Sequence, residues 1–327
     1  MEAILRQEFS HLSISPTAVL KAGGMEINSN NFKIEGPGKA YLLKRLVGSE
    51  AEPLRVQLRL LRWLNERGHA VPRLENTARG DVLARDGADA WCLFEFISGD
   101  FFCGAAGQLS DVASKIGEMQ ADLRRLPARL HPARKWTYSI DREREVLRTL
   151  ESRRKDWPRI FGSVHAELLT ANWARVARVS AGSGARRQEI ETAPWEAAHC
   201  DLHPHNILMK GDKLAGVVDF ESFVWLPSGV SLGYAAYKLL KQHAVHQWHG
   251  RWSAAASGTA RRFFDALAAA DPVSGGDRSR LRLFALAELF RRLLVVFELN
   301  LRDGNSEWNH VLPMHLSGLA EIDSIFQ

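Results

Sequence analysis

The sequence predicts an α+β fold: a small β-rich first part with one main helix, followed by a larger and mostly helical second part. Three observations carry this. Short apolar-alternating runs separated by turn residues fill the first hundred positions. The texture changes at "ISGDFFCG" (97–104), after which apolar residues recur at helical spacing. One β-rich stretch, "HCDLHPHNILMKGDKLAGVVDFE" (199–221), interrupts that helical half.

In the first part, strands are predicted over residues 17–22, 31–35, 40–46, 81–86 and 90–97. The segment "EPLRVQLRLLRWLNERG" (52–68) is the main helix: Leu54, Leu58, Leu61 and Leu64 fall on one face, Pro53 sits near its start, and Gly68 is placed to stop it. Helices are predicted near 108–126, 140–155, 231–247, 257–270, 278–300 and 310–326. The small, polar, glycine-bearing "SAGSGARRQ" (180–188) reads as an exposed loop, and no internal repeat is visible.

Composition narrows the class. With 46% hydrophobic residues in 327, the chain can bury a large core. No apolar run approaches the length needed to span a bilayer, and "MEAILRQEFSHL" lacks a basic-then-apolar leader, so a cytoplasmic protein without membrane contact is expected. Cys92, Cys103 and Cys200 are odd in number and widely spaced, which predicts reduced thiols. The net charge of +5 is spread along the chain, and runs such as "RRK" (153–155) read as solvated helix faces, so no nucleic-acid partner is expected.

The 199–221 stretch concentrates polar chemistry in an apolar setting. Zinc would call for imidazoles four apart on a helix or for paired knuckles, yet Pro204 separates His203 from His205 and disfavours a helix there. A serine hydrolase would need a nucleophile elbow, and the region has none. What remains is Asp201, Asn206 five residues on, a short strand, a polar turn, a second strand and Asp219, which together make a hairpin with oxygen groups at both ends. Asn206 and Asp219 are hard donors of the kind Mg2+ takes while also holding substrate phosphates. Asp201 is placed to orient or deprotonate a hydroxyl. Taken singly, an Asp or Asn at a strand end is more often a turn cap; the combination is what points to chemistry.

"HCDLHPHNIL" and "GVVDFE" at this separation resemble the two central motifs of the phosphotransferases that include aminoglycoside phosphotransferases, choline kinases and type II homoserine kinases. These are small-molecule relatives of the protein kinases. The resemblance implies a two-lobed protein-kinase-like fold, with a nucleotide-binding lobe at 1–98 and a catalytic and acceptor-binding lobe at 99–327. It implies ATP and Mg2+ as cofactors, and a small-molecule hydroxyl acceptor as partner; a homodimer is left open. Asp201 becomes the catalytic base, Asn206 and Asp219 the metal ligands with Glu221 assisting, and His199 the brace of the loop. Lys44 in "LLKRL" becomes the lysine on the α- and β-phosphates, although Arg45 on the opposite face could be confused with it. Gly23, Gly24, Ser29 and Asn30 would cover the phosphates, and backbone groups of Glu95, Phe96 and Ile97 in "CLFEFISG" would pair with the adenine edge.

Two departures stand out. Where many relatives carry a Glu that pairs with the lysine, this chain has Gln57, and Glu52 is the alternative counter-charge. Where relatives open the next helix with Asp, "VSLGYAAY" has Ser231, itself a good N-cap. Trp225, Trp248, Trp252 and Trp308 are candidates for stacking on an acceptor, or equally for the core. An excess of Lys and Arg over Asp and Glu in 222–327 argues against a polycationic aminoglycoside. An amino alcohol, a sugar or a homoserine-like acceptor fits better, and the wording of the first part leans towards the homoserine-kinase and spore-coat-kinase branch. The competing reading is a nucleotide-binding pseudokinase that acts through protein partners.

Overall fold

The structure, a computed structural model, describes residues 1–12, 14, 20–21, 30–48, 50–250, 252, 254–304 and 306–327. The chain opens with α1 (Glu2–Glu8), β1 (Leu20–Lys21), β2 (Asn31–Gly36), β3 (Lys39–Leu46), α2 (Ala51–Glu66), β4 (Leu74–Glu75), β5 (Ala84–Asp86) and β6 (Asp89–Glu95). The strands form one antiparallel sheet in the order β1-β2-β3-β6-β4, with β5 also paired to β6. Alternation along β3 sorts its side chains between two environments. Tyr41 and Leu43 join Ile4, Leu5 and Phe9 of the N-terminal segment in a small core on one face. Leu42 and Leu46 face the main core, which also takes the α2 leucines Leu54, Leu58, Leu61 and Leu64. Gly68, at φ +84°, follows α2 in a conformation that favours glycine.

The second part begins with β7 (Asp100–Phe101), which pairs not with the first sheet but with the later strand Ile207–Lys210. Then come α3 (Ala106–Leu123), α4 (Ile140–Ser152), α5 (Trp157–Phe161), α6 (Ser163–Ala181), α7 (Ser183–Thr192), β8 (Trp195–His199), β9 (Ile207–Lys210), β10 (Lys213–Val217), β11 (Phe223–Pro227), α8 (Val230–Trp248), α9 (Ala254–Ala270), α10 (Pro272–Gly275), α11 (Arg278–Asp303) and α12 (Leu312–Phe326). Two small sheets, β10-β9-β7 and β11-β8, are set among these helices. At Gly233 of α8 a Cβ would lie 2.4 Å from the carbonyl oxygen of Leu281 in α11. Glycine here lets α11 lie directly against α8, and so delivers α11 side chains to the loop before β9. Among the described residues no helix is long and apolar enough to cross a membrane.

Several sequence expectations change. Residues 180–188 are not an exposed loop: they end α6 and form most of α7. Arg186 is buried with its guanidinium 2.8 and 3.0 Å from the Glu143 carboxylate and against the ring of Phe290. A polar segment can be internal when its charge is paired, and composition alone does not reveal the partner. The long helix α6 was not anticipated at all. Of the strand expected at 17–22 only Leu20–Lys21 is described, and that expected at 81–86 is a strand only over Ala84–Asp86. The expected helix at 140–155 ends at Ser152, where a 3-10 turn takes over.

Candidate active site

Two pairings hold the polar stretch together. In the β9–β10 hairpin Ile207 faces Val217, and the Val218 N–H donates to the Asn206 carbonyl at 3.0 Å, which brings Asn206 beside Asp219. In the β8–β11 pair His199 faces Phe223, and the Cys200 N–H donates to the Ser222 carbonyl at 2.9 Å. The loop carrying Asp201 is thus stitched to the loop carrying Asp219 on both sides.

His199 is buried, and burial lowers its pKa, so its ring is neutral. Its Nε2 donates to the Val218 carbonyl at 2.9 Å, and its Nδ1 accepts from the Asp201 N–H at 3.3 Å. This is the bracing role expected of it. Ser231 is not the helix cap; Gly229 holds that place at φ +93°. Ser231 is buried in the first turn of α8, and its hydroxyl donates to the His199 carbonyl at 2.6 Å, a second brace on the same loop.

Asp219 adopts a left-handed conformation, φ 70° and ψ 60°, which costs a non-glycine residue on the order of 1–3 kcal/mol. The turn directs its carboxylate towards Lys44: Oδ1 is 3.5 Å from Nζ, and Oδ2 accepts from the Ser222 hydroxyl at 2.7 Å. Glu221 lies closer, with Lys44 donating to Oε2 at 2.6 Å. Burial raises both acids; for Asp219 the Lys44 charge and the Ser222 hydroxyl win and lower it, whereas for Glu221 burial and the Asp219 charge prevail over Lys44 and raise it. Two carboxylates therefore face one ammonium. Arg45 does not compete for the role, because it points to the other face, where its Nε donates to Asp89 at 2.7 Å.

Neither expected partner, the Gln57 amide or the Glu52 carboxylate, meets Lys44. Glu52 is exposed and near Arg55, with 3.5 Å between charged atoms. Gln57 instead turns its Nε2 to the carbonyls of Glu221 and Phe223, each at 3.4 Å. It supports the backbone that carries Glu221 rather than the lysine. The helix face was anticipated; the partner on it was not.

Asp201 sits in a positive setting. Arg292 of α11 donates to Oδ1 at 2.8 Å, and His203 Nε2 is 3.4 Å from Oδ2. Burial pushes this acid up, but His203 and Arg292 outweigh it and hold the carboxyl well below the usual carboxylate range. Arg292 also donates to Glu288 at 2.8 Å and to the Cys200 carbonyl at 3.2 Å, and it lies 4.4 Å over the Tyr234 ring. Glu288 is fully buried and collects Trp136 Nε1 and Arg291 as well, at 2.7 Å each. Sequence reading missed this network. Its signal was present in "ELFRRLL", where an acid and two arginines at i, i+3 and i+4 interrupt an apolar helix.

Asn206 donates through Nδ2 to the Asp201 carbonyl at 2.9 Å, so its amide oxygen is the end left for a ligand. Gly23, Gly24 and Ser29 lie outside the described residues. Asn30 is half-buried, and its carbonyl accepts from the Arg45 N–H at 2.8 Å. In the expected hinge, Glu95 N–H donates to Arg73 O at 2.8 Å and Phe96 N–H to Ala40 O at 2.9 Å. Both donors are engaged within the protein, and Ile97 follows them directly. The tryptophans expected as stacking candidates have neighbours of their own: Trp225 stacks on His131, Trp248 meets the edge of His243, Trp308 stacks on His310, and Trp252 packs on the main core. All three cysteines are free.

The two-lobed arrangement, with Lys44 brought from the first sheet to Asp219 and Glu221 and with Asp201 on the adjoining loop, defines a kinase-like phosphotransferase. The sequence profile of the phosphotransferase enzyme family (APH) matches residues 22–267, and the chain belongs to that family. Among solved structures it is similar to spectinomycin phosphotransferase APH(9)-Ia in complex with ADP and spectinomycin, at 15% identity and TM-score 0.65, covering 99% of this chain and 96% of that one. It is similar to amicoumacin kinase hAmiN in complex with AMP-PNP and Ca2+, at 15% identity and TM-score 0.64, covering 98% and 91%. A microcompartment-associated aminopropanol kinase matches at 13% identity and TM-score 0.61, covering 99% and 97%. At these identities the structures establish the fold. No curated protein sequence matches the chain.

Proposed function

We propose that this protein transfers the γ-phosphoryl group of ATP to a hydroxyl of a small molecule, with residues 1–98 holding the nucleotide and 99–327 supplying the catalytic loop and the acceptor site. The observation that carries the reading is the convergence of Lys44 on Asp219 and Glu221, 2.6 Å from the latter, across about half the chain. Membership of the family and the nucleotides bound by its structural relatives support it.

Among the described residues no group of three His, Cys, Asp or Glu side chains is placed to hold a metal alone. The donor set here is two carboxylates, Asp219 and Glu221, and the Asn206 amide oxygen. That suits Mg2+, which binds through one or two carboxylates and substrate phosphates rather than an all-protein cage. When bound, Mg2+ supplies positive charge to the phosphate oxygens.

The chain's own contribution is positioning. Lys44 exchanges its carboxylate partners for the α- and β-phosphates. Asp201 accepts a hydrogen bond from the acceptor hydroxyl and takes its proton as transfer completes. Held anionic by His203 and Arg292, it is a weak base, which suffices where the transition state is loose and the nucleophile needs orientation more than early deprotonation. Arg292 fixes the rotamer of Asp201, and His199 and Ser231 fix its backbone. Asp201→Ala should lower kcat roughly 10²–10⁴-fold and leave Mg-ATP affinity nearly unchanged. Equal losses of rate and of nucleotide binding would move Asp201 to the metal, and an absence of turnover on every acceptor would favour a nucleotide-binding module.

A further inference from the structure

Next to Asp201, which Arg292 reaches from α11, the turn at Pro204–Asn206 and helices α8, α11 and α12 meet in a corner. Its charges do not balance. Lys241 pairs with Glu321 at 2.7 Å, Arg291 with Glu288 at 2.7 Å, and Arg292 with Asp201 and Glu288 at 2.8 Å each. Each carboxylate in the corner is thereby engaged. Lys238, half-buried on α8, has no carboxylate within ion-pair distance among the described residues; its ammonium is 3.0 Å from the uncharged thioether of Met314. One helical position on, His315 is buried with Nδ1 unpartnered. Burial, then Arg292 and Lys241, pull the Lys238 pKa down to about 8, with Asp201 and Glu321 opposing, and His205 adds a further basic ring near it.

A half-buried ammonium beside a guanidinium is costly unless an anion completes the set. We propose that the acceptor is anionic: Lys238, with Arg292 and His315 beside it, receives a carboxylate or phosphate carried by the molecule whose hydroxyl meets Asp201. This rests on the phosphotransferase reading and narrows its substrate class to hydroxy acids and phosphorylated sugars. Amino alcohols and aminoglycosides would bring a second ammonium to a site that already has one in excess, and repulsion between unpaired like charges opposes that.

The test measures ADP formation by the full chain with Mg-ATP against hydroxy acids, sugar phosphates, neutral sugars, amino alcohols and an aminoglycoside. Turnover should be confined to the anionic acceptors, and which of the two classes is used identifies the group bound. Lys238→Met should raise KM for that acceptor at least tenfold with a smaller change in kcat, and Lys238→Arg should restore most of the loss. A second measurement reads the corner without chemistry. Hydroxy acids or sugar phosphates, added without nucleotide, should raise the Tm of the native protein and not that of Lys238→Met. Turnover of cationic or neutral acceptors in preference to anions overturns the proposal and leaves the phosphotransferase reading intact. If no acceptor is turned over, that reading fails, and the Tm decides the corner: a shift lost in Lys238→Met supports it, and indifference to every anion overturns it.

Discussion

The two sides of the candidate site carry opposite surplus charge. Around Lys44, two half-buried carboxylates, Asp219 and Glu221, face one ammonium. Around Asp201, arginines and lysines occupy the carboxylates of the corner, and among the described residues none is left for Lys238. Each surplus is unfavourable by itself, since a buried charge without its complement loses hydration that nothing in the protein replaces. On the proposed reading, the difference teaches that the protein is balanced for its ligands rather than for itself: the first side would take a cation, the second an anion, and the reacting hydroxyl would lie between them.

The most damaging way to break this contrast is to remove the negative surplus. Asp219→Ala should weaken magnesium-dependent nucleotide binding by about 10²-fold, and Asn206→Ala should do so less, because one removes a charged oxygen and the other a neutral one. Calorimetry with and without Mg2+ checks this. Equal affinity in both media would separate Asp219 from the metal.

The positive surplus leaves its trace in acid stability. Burial, then Arg292 and Lys238, depress the His315 pKa to about 3, against 6.5 for an ordinary histidine. Between those values the unfolded chain binds a proton that the folded chain refuses, so this contribution to stability is whole above pH 6.5 and is lost as pH falls towards 3. His315→Leu should make the stability-pH slope in that window shallower by up to one proton, about 1.4 kcal/mol per pH unit. Urea unfolding at a series of pH values measures it, and an unchanged slope would mean that His315 takes up its proton in the folded state.

The smallest effect sharpens the comparison at Gln57. Its amide donates to the carbonyls of Glu221 and Phe223, so a carboxylate there would replace a donor by a charge beside the existing negative surplus. Gln57→Glu should cost about 1 kcal/mol of stability and lower activity a few-fold, and Glu52→Gln, at an exposed position, should change nothing measurable. Gain of activity in Gln57→Glu would show that Lys44 turns to this helix when nucleotide is bound.

Much of the molecule was legible because its signals are local. The period of 3.6 exposed α2 through Leu54, Leu58, Leu61 and Leu64, and the turn between two apolar runs exposed the hairpin that carries Asn206 and Asp219. Alternation along β3 was enough to separate Lys44 from Arg45 by face. Asp201, Asn206, Asp219 and Glu221 fall within 21 residues, so their spacing could be read directly. The tertiary structure decided what spacing cannot carry: that Lys44 meets Glu221 at a separation of 177 residues, that Arg292 rather than Arg291 reaches Asp201 from 91 residues away, that Arg186 is buried on Glu143 instead of lying in a loop, and that Lys238 finds no carboxylate partner among the described residues. Those outcomes depend on how helices rotate and how closely they approach, as α8 and α11 do at Gly233, and packing geometry of that kind leaves no mark on neighbouring residues along the chain.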